Sequence, residues 1–262
     1  MSVDSNKKWA LIVGGSSGLG LATAKKLAQH DFNLIVLHRD RRADLDEITV
    51  QLEQIKAMGA KVISFNADAT NGLKQKELVH EIAIRLEVKK IAVLVHSIAK
   101  GNLKPMYSTE EPTLQNQDFN LTIDAMATSL YDWTKLLVDN ELIAKDTRII
   151  AFTSEGNQKA WANYAAVSAA KAALEAIMRN IALEYAPVGI KANCVQAGVT
   201  ETKSFTMIPG SEALKTAALQ RNPNKRLTTP QDVANAAYLL TLPEAHWITG
   251  TVLKVDGGES LR

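Results

Sequence analysis

The stretch from Ala10 to His30, ALIVGGSSGLGLATAKKLAQH, decides the fold. Four apolar residues, enough for a short buried strand, run into the loop Gly14-Gly15-Ser16-Ser17-Gly18-Leu19-Gly20, and the residues after it carry apolar side chains at helical spacing. Glycines between a strand and a helix permit positive φ and let the backbone approach a pyrophosphate. The helix N-terminus adds free N–H groups and a partial positive charge. A dinucleotide is the expected guest, held by Gly14, Ser16, Ser17, Gly18, Leu19 and Gly20. An ordinary glycine-rich turn is the plain alternative, and the strand and helix on either side weigh against it.

Outward from this unit the same alternation repeats. Short apolar runs at 34–37, 62–65, 91–95, 148–152, 191–195 and 252–255, several rich in β-branched residues, read as strands. Between them, 43–58, 74–86, 121–138 and 165–185 have helical spacing, with Gly59, Gly72, Pro187 and Gly189 as punctuation at element ends. Strand and helix in turn imply an α/β fold, a doubly wound parallel sheet of the Rossmann type with helices on both faces. No linker or repeat interrupts it, so residues 1–262 are expected to form a single domain. Ligands in such sheets bind beyond the carboxyl ends of the strands, which directs attention to the residues just after each apolar run.

The totals narrow the chemistry. The 30 basic and 28 acidic side chains leave a net charge of +2, too small to suggest a nucleic-acid or membrane-surface partner. No run of about 18 apolar residues exists, and MSVDSNKKWALIVGG lacks a signal-type apolar core, so the expectation is a cytosolic (cytoplasmic) protein acting on small molecules. Cys194 is the one cysteine and has no His or Cys neighbours, which excludes an internal disulfide and gives no metal site; it reads as a small buried strand residue.

The loop's spacing, with Gly18 four residues after Gly14 and Gly20 two further on, resembles that of the short-chain dehydrogenase/reductase family. The resemblance runs nearly end to end: Asp68 in Asn66-Ala67-Asp68-Ala69-Thr70 after the third strand, Tyr164 and Lys171, and the terminal ITGTVLKVDGG. It implies an adenine contact from Asp68, for which a helix cap or turn is the alternative, and further cofactor contacts from Ala69, Ser97, Ile98, Ala99, Lys171, Ala197, Val199 and Thr202. At 95–99, Val-His-Ser-Ile-Ala stands where the commonest members have Asn-Asn-Ala-Gly, and this run looks like the enoyl-acyl carrier protein reductase branch. His96 itself reads as structural.

An NAD site places an acid at the end of the second strand for the ribose hydroxyls. Here that strand ends in His38-Arg39-Asp40-Arg41-Arg42, so a 2′-phosphate would meet guanidinium groups. NADPH is favoured over NADH, with Arg39 the best phosphate ligand. A solvated basic turn, partly neutralised by Asp40, is the alternative.

The run 163–171, Asn-Tyr-Ala-Ala-Val-Ser-Ala-Ala-Lys, carries the reaction. Many reductases of the family place Lys four residues after Tyr; Ser168 holds that position here and Lys171 follows seven residues after Tyr164. At about 100° per residue both steps return to nearly one helical face, so Lys171 still points to Tyr164's side, about one turn further along. The seven-residue step and Ala197-Gly198-Val199 resemble enoyl reductases. Ser154, ten residues before Tyr164, is instead the residue of ketone reductases, although one NADPH-using bacterial enoyl reductase subgroup is similar in having both. Asp124 aligns with a family asparagine and has no amide donor to offer in its place.

The resemblance implies hydride transfer from NADPH to a trans-2-enoyl thioester, carried by acyl carrier protein, with Tyr164 hydrogen-bonded to the developing enolate oxygen. Lys171 would hold the ribose and lower the tyrosine pKa. Reduction of a 3-oxoacyl thioester or other ketone, assisted by Ser154, uses the same residues. A nucleotide-sensing protein without turnover is the reading from another class, and retention of Tyr164, Lys171 and Ser154 argues against it. The segment 202–224, within the family's substrate-binding region of about 200–225, offers Phe205, Met207 and Ile208 to an acyl chain or forms a plain surface helix. Lys203 and Arg221 are candidate contacts for an acidic carrier protein, or ordinary surface. The apolar circumference of 121–138 and 165–185 implies an interface, for which the family suggests a homotetramer, with a dimer as the lesser alternative.

Overall fold

Strands that are apolar at every position must be covered on both faces. Leu34, Ile35, Val36 and Leu37 are all fully buried, and the whole of β2 (Phe32–His38) lies inside. In a computed structural model, which describes residues 7–262, β2 belongs to a seven-stranded sheet. The others are β1 (Lys8–Val13), β3 (Val62–Asn66), β4 (Ile91–His96), β5 (Ile143–Ser154), β6 (Ile190–Ala197) and β7 (Val252–Val255). Every pairing is parallel, in the order β3-β2-β1-β4-β5-β6-β7.

Parallel neighbours need crossover connections, and helices supply them. Alternate residues of one strand feed opposite cores. Leu11, Val13, Ile35, Leu37 and Leu94 pack with side chains of α3 (Gly72–Leu86), α5 (Ser129–Asp139) and α6 (Ala165–Glu184), among them Ile82, Trp133 and Leu174. Ile12, Leu34, Val36 and Val95 face α1 (Gly18–Ala28), α2 (Leu45–Ala57) and α9 (Pro230–Leu239) through Leu27, Ile55 and Val233. Cys194 is fully buried in β6, as its surroundings in the sequence suggest.

The sheet is wound in opposite directions from β1, so the loops after β1 and β4 diverge and leave a crevice at their carboxyl ends. The two loops nevertheless touch. Gly14 has φ +90°, and a Cβ there would lie 2.4 Å from the Ser97 carbonyl oxygen. A Cβ on Gly20 would lie 2.0 Å from the Gly14 carbonyl oxygen. Both positions exclude any side chain, for backbone reasons.

Three details differ from the periodicity. Gly72 opens α3 instead of ending an element, with Asn71 as the cap accepting from the Lys74 N–H at 3.0 Å. The single helix expected over 121–138 is α4 (Asn116–Ile123) and α5 joined by a π-helical turn at Asp124–Thr128. A π turn inserts one extra residue and rotates all that follows, which an apolar period does not announce. The segment 200–225 forms two helices, α7 (Lys203–Thr206) and α8 (Ser211–Arg221).

Gly20→Ala is expected to lower the urea midpoint by an amount equivalent to about 2 kcal/mol or more at unchanged m, because two backbones must part. Parent-like stability would mean that loop and helix separate without cost.

Candidate functional site

At the carboxyl ends of the strands lies a cleft of about 810 Å³. The residues expected from the sequence converge on it: Gly14, Ser16, Ser17, Gly18 and Leu19 of the first loop, Arg39, Asp68 and Ala69 beside it, Ser97, Ile98 and Ala99 after β4, then Ser154, Tyr164, Lys171, Ala197, Val199 and Thr202. Gly20 is the exception. It does not line the cleft and serves the close packing of α1 against the Gly14 carbonyl.

One end of the cleft is built for phosphates. Gly14 and Gly15 spend their N–H groups on the Leu37 carbonyl, at 2.9 and 3.1 Å, which ties the loop to β2. The first turn of α1 has no side-chain cap hydrogen bond, and Gly18 and Leu19 at its start line the cleft. The rim adds Arg39, Arg41, Lys100 and Lys203. The glycine cradle, the uncapped helix and this basic rim fit a dinucleotide phosphate.

Arg39 stands differently from expectation. It is not a free guanidinium: Nη1 donates to Asp68 Oδ2 at 2.8 Å, and Lys100 lies 3.8 Å from the same oxygen. Asp68 Oδ1 accepts from the Thr70 N–H and hydroxyl at 2.9 and 2.6 Å, so the turn role weighed for it is real and coexists with its place in the cleft. Burial pushes the Asp68 carboxyl up, but the Thr70 hydrogen bonds and the Lys100 and Arg39 charges outweigh it and hold it below the ordinary value. Arg41, exposed on the same rim, has no such tie to Asp68.

At the other end sit the tyrosine and lysine. Tyr164 immediately precedes α6, and its hydroxyl is 3.5 Å from Ser154 Oγ at the end of β5. Seven residues on, Lys171 reaches the cleft, whereas Ser168 at the four-residue step does not line it. Both Tyr164 and Lys171 are 8% exposed. Lys171 Nζ donates to the Phe152 carbonyl at 2.7 Å. Burial lowers its pKa to about 8, with the neighbouring Cys194 and Glu175 acting in the opposite direction.

The expectation that Lys171 lowers the tyrosine pKa is not met. Burial raises Tyr164 above its ordinary value, and the hydrogen bond with Ser154 offsets only part of that. The ammonium is turned to the Phe152 carbonyl. His96, read as structural, is buried behind the site and hydrogen-bonded to Ser129 Oγ at 2.7 Å. Burial, with help from the Lys171 charge, lowers its pKa to about 3, so the ring is neutral.

Other positions escaped the sequence. Gly156 makes room for the phenol: a Cβ there would lie 2.5 Å from Tyr164 Cε1. Its backbone is not left-handed, so no turn signature marks it. Met126, Trp161, Val167 and Ile208 form an apolar wall around Tyr164, with the Trp161 ring centroid 5.1 Å from that of Tyr164. Met126 comes from the π turn, while Asp124 at its start is exposed and bonds to Thr128, away from the cleft. Arg221, offered by the sequence as a carrier-protein contact or ordinary surface, is engaged within the chain: it bridges Glu155 at 3.1 Å and the buried Glu259 at 2.9 Å, tying α8 to the turn after Ser154 and to the C-terminal segment.

An ultraviolet difference titration of the protein against its Tyr164→Phe variant is expected to place phenol ionisation above pH 10, about the model-peptide value. Ionisation near neutrality would contradict the burial argument.

Comparison with known proteins agrees with this geometry. The family described as enoyl-(acyl carrier protein) reductase matches residues 13–260. A 3-oxoacyl-[acyl-carrier-protein] reductase of Staphylococcus epidermidis is 28% identical over 255 residues, covering 96% of this chain and 98% of that protein. The 1-cyclohexenylcarbonyl-CoA reductase of Streptomyces collinus is 28% identical over 254 residues, covering 96% and 86%. A short chain dehydrogenase from Burkholderia cenocepacia, crystallised in complex with NADP, superposes with a TM-score of 0.82 at 25% identity, over 97% of this chain and 98% of that one.

Proposed function

Because the chain belongs to the short-chain dehydrogenase/reductase family, in the group described as enoyl-(acyl carrier protein) reductase, we propose that it reduces the carbon–carbon double bond of a trans-2-enoyl thioester with NADPH. The observation that carries this reading is the seven-residue step from Tyr164 to Lys171, with both side chains in one cleft against an apolar wall. The 1-cyclohexenylcarbonyl-CoA reductase, whose name describes an unsaturated thioester, is a relative of this chain over most of its length.

Gly14, Ser16, Ser17, Gly18 and Leu19 would hold the pyrophosphate, Asp68 and Ala69 the adenine, and Arg39 with Arg41 the 2′-phosphate. Ser97, Ile98, Ala99, Ala197, Val199 and Thr202 would flank the nicotinamide half, with Lys171 on its ribose hydroxyls. Bound there, NADPH supplies a hydride from nicotinamide C4. The chain's own work is electrostatic. Tyr164, kept protonated by burial, would donate a hydrogen bond to the thioester oxygen as the β-carbon takes the hydride and negative charge develops there, and a proton from solvent would then complete the reduction at the α-carbon. The Lys171 ammonium adds positive charge beside it, and Trp161, Val167 and Met126 exclude water. Phe205, Met207 and Ile208 line the cleft where an acyl chain would lie, and exposed Lys203 at its mouth suits an acidic carrier protein. Exposed Leu121 and Tyr131 on α4 and α5 suit self-association as a homotetramer, which gel filtration tests.

A second reading has its own observation. Ser154 Oγ lies 3.5 Å from the Tyr164 hydroxyl, the pairing needed to protonate a ketone oxygen, and one relative is a 3-oxoacyl reductase. Crotonyl and acetoacetyl thioesters supplied separately with NADPH decide between them. Oxidation with crotonyl thioester is expected, falling about 10²-fold or more in Tyr164→Phe; oxidation with acetoacetyl thioester alone would make Ser154 and Tyr164 a ketone-reducing pair. Activity needs the Lys171 ammonium, which is lost as pH rises, so kcat/KM should fall above about pH 8. A flat alkaline profile would remove Lys171 from the chemistry.

For the cofactor, the double variant Arg39→Ala/Arg41→Ala should raise KM for NADPH about tenfold or more while leaving that for NADH nearly unchanged. A parent enzyme that prefers NADH would overturn the assignment.

A further inference from the structure

Behind the site lies a buried carboxylate that the chemistry above does not use. Glu175 is on α6, four residues after Lys171 and therefore on the same helical face, and is 7% exposed. Its Oε1 accepts from the Thr153 hydroxyl at 2.7 Å and from the Asn157 side-chain N–H. Thr153 immediately precedes Ser154 in β5, and Asn157 closes the 3₁₀ turn Glu155–Asn157 that follows it. Asn157 Oδ1 is buried without a hydrogen-bond partner, so the bond to Glu175 is what orients that amide.

We propose that Glu175 is a positioning residue of the reductase site: its carboxylate clasps the turn carrying Ser154 from both sides and puts negative charge on the helical face that carries Lys171 one turn earlier. The charge inventory supports this. Facing the pair from the other elements are His96 of β4 and Cys194 of β6, with Tyr164 and Ser154 on the cleft side. Arg179, one turn further along α6, is exposed, and Glu155 beside the clasp is paired with Arg221 and Lys159. His96, with a pKa lowered to about 3, and Cys194, raised to about 12 by burial, are both uncharged near neutrality. Among the described residues that act on Lys171, Glu175 is then the one resident negative charge, and it opposes the loss of the lysine proton. A carboxylate is expensive to bury unless its hydrogen bonds and a partner charge offset the loss of water. Here the hydrogen-bond partners, Thr153 and Asn157, flank the residue Ser154, and Lys171 lies on the same helical face.

The inference rests on the reductase reading for its kinetic readout and has a second readout that needs no turnover. NADPH affinity, followed by cofactor fluorescence from neutral to strongly alkaline pH, reports loss of the Lys171 proton; kcat/KM with crotonyl or acetoacetyl thioester reports it again. Glu175→Gln keeps an acceptor for Thr153 but removes the charge, and should move the alkaline limb of both profiles toward acid by about one pH unit. Glu175→Asp keeps the charge and shortens the clasp, and should leave the limb in place while lowering kcat about tenfold through misplacement of Ser154 and Tyr164. If Glu175→Gln does not fold, the double variant Thr153→Val/Asn157→Ala, which leaves Glu175 intact, should reproduce the loss of kcat with the limb unmoved. Parent-like limbs and rates in the folded variants would overturn the proposal. A parent that binds NADPH but reduces neither thioester would sink the reductase reading alone, since the binding limb still tests Glu175.

Discussion

An ammonium buried at the floor of a cleft is the constraint around which the site is organised. Taking a lone cation out of water costs on the order of several kcal/mol, and the interior must return most of that through hydrogen bonds and opposite charge. Lys171 finds the Phe152 carbonyl in β5, and the Glu175 carboxylate lies on the same face of α6 one turn along. Between about pH 8 and 10.5 the unfolded chain holds this proton and the folded site does not, so the cost of burying the cation is largest below that window and shrinks as pH rises through it. A protein optimised for stability alone would place an apolar residue there. Its place in a pocket with a tyrosine and a serine is what the proposed chemistry draws on.

The same cleft divides into two electrical regimes. Its mouth has basic side chains and the start of a helix without a side-chain cap, the kind of surface that attracts phosphate. Its far end is walled by Trp161, Val167, Met126 and Ile208, where a hydrogen bond to a developing oxyanion is worth more than in water. Burial raises the Tyr164 pKa and keeps its hydroxyl protonated, which suits the neutral donor role proposed for it. The tyrosine does not need the lysine to prepare it. In the proposed reaction the two groups would contribute separately, one by a hydrogen bond and the other by charge.

Three segments distant in sequence are drawn together around this end. Arg221 joins α8 to Glu155 and Glu259, and Glu259 in turn accepts from the Val199 N–H at 3.2 Å. Movement of α8 over the cleft would therefore be felt at the turn beside Ser154 and at the loop after β6. This ionic bridge occupies a residue that looks in sequence like scattered surface charge. The contrast is instructive: a guanidinium read as free for a partner is consumed by two carboxylates, one of them nearly inaccessible to solvent.

By itself the chain determined the alternation of strand and helix, since apolar runs of four to six residues, short, rich in β-branched residues and flanked by loop residues, read as strands covered on both faces. It also determined which loops face the cleft, because Gly14 and Gly18 stand where the backbone takes positive φ and Gly20 where no Cβ fits. The pairing of Tyr164 with Lys171 was legible from the family resemblance, with helical spacing adding that both lie on one side. Tertiary structure decided the rest. The π turn at Asp124–Thr128 rotates Met126 toward the cleft and leaves Asp124 in solvent, and a helical wheel does not register one inserted residue. Arg39 turns to Asp68, Gly156 lies under the phenol ring, and Glu175 bonds to both flanks of Ser154, through contacts between segments many residues apart. Periodicity reports which face of an element is buried. It carries no information about which charge or ring another element brings to that face, because burial energy depends on area and charge pairing depends on distance.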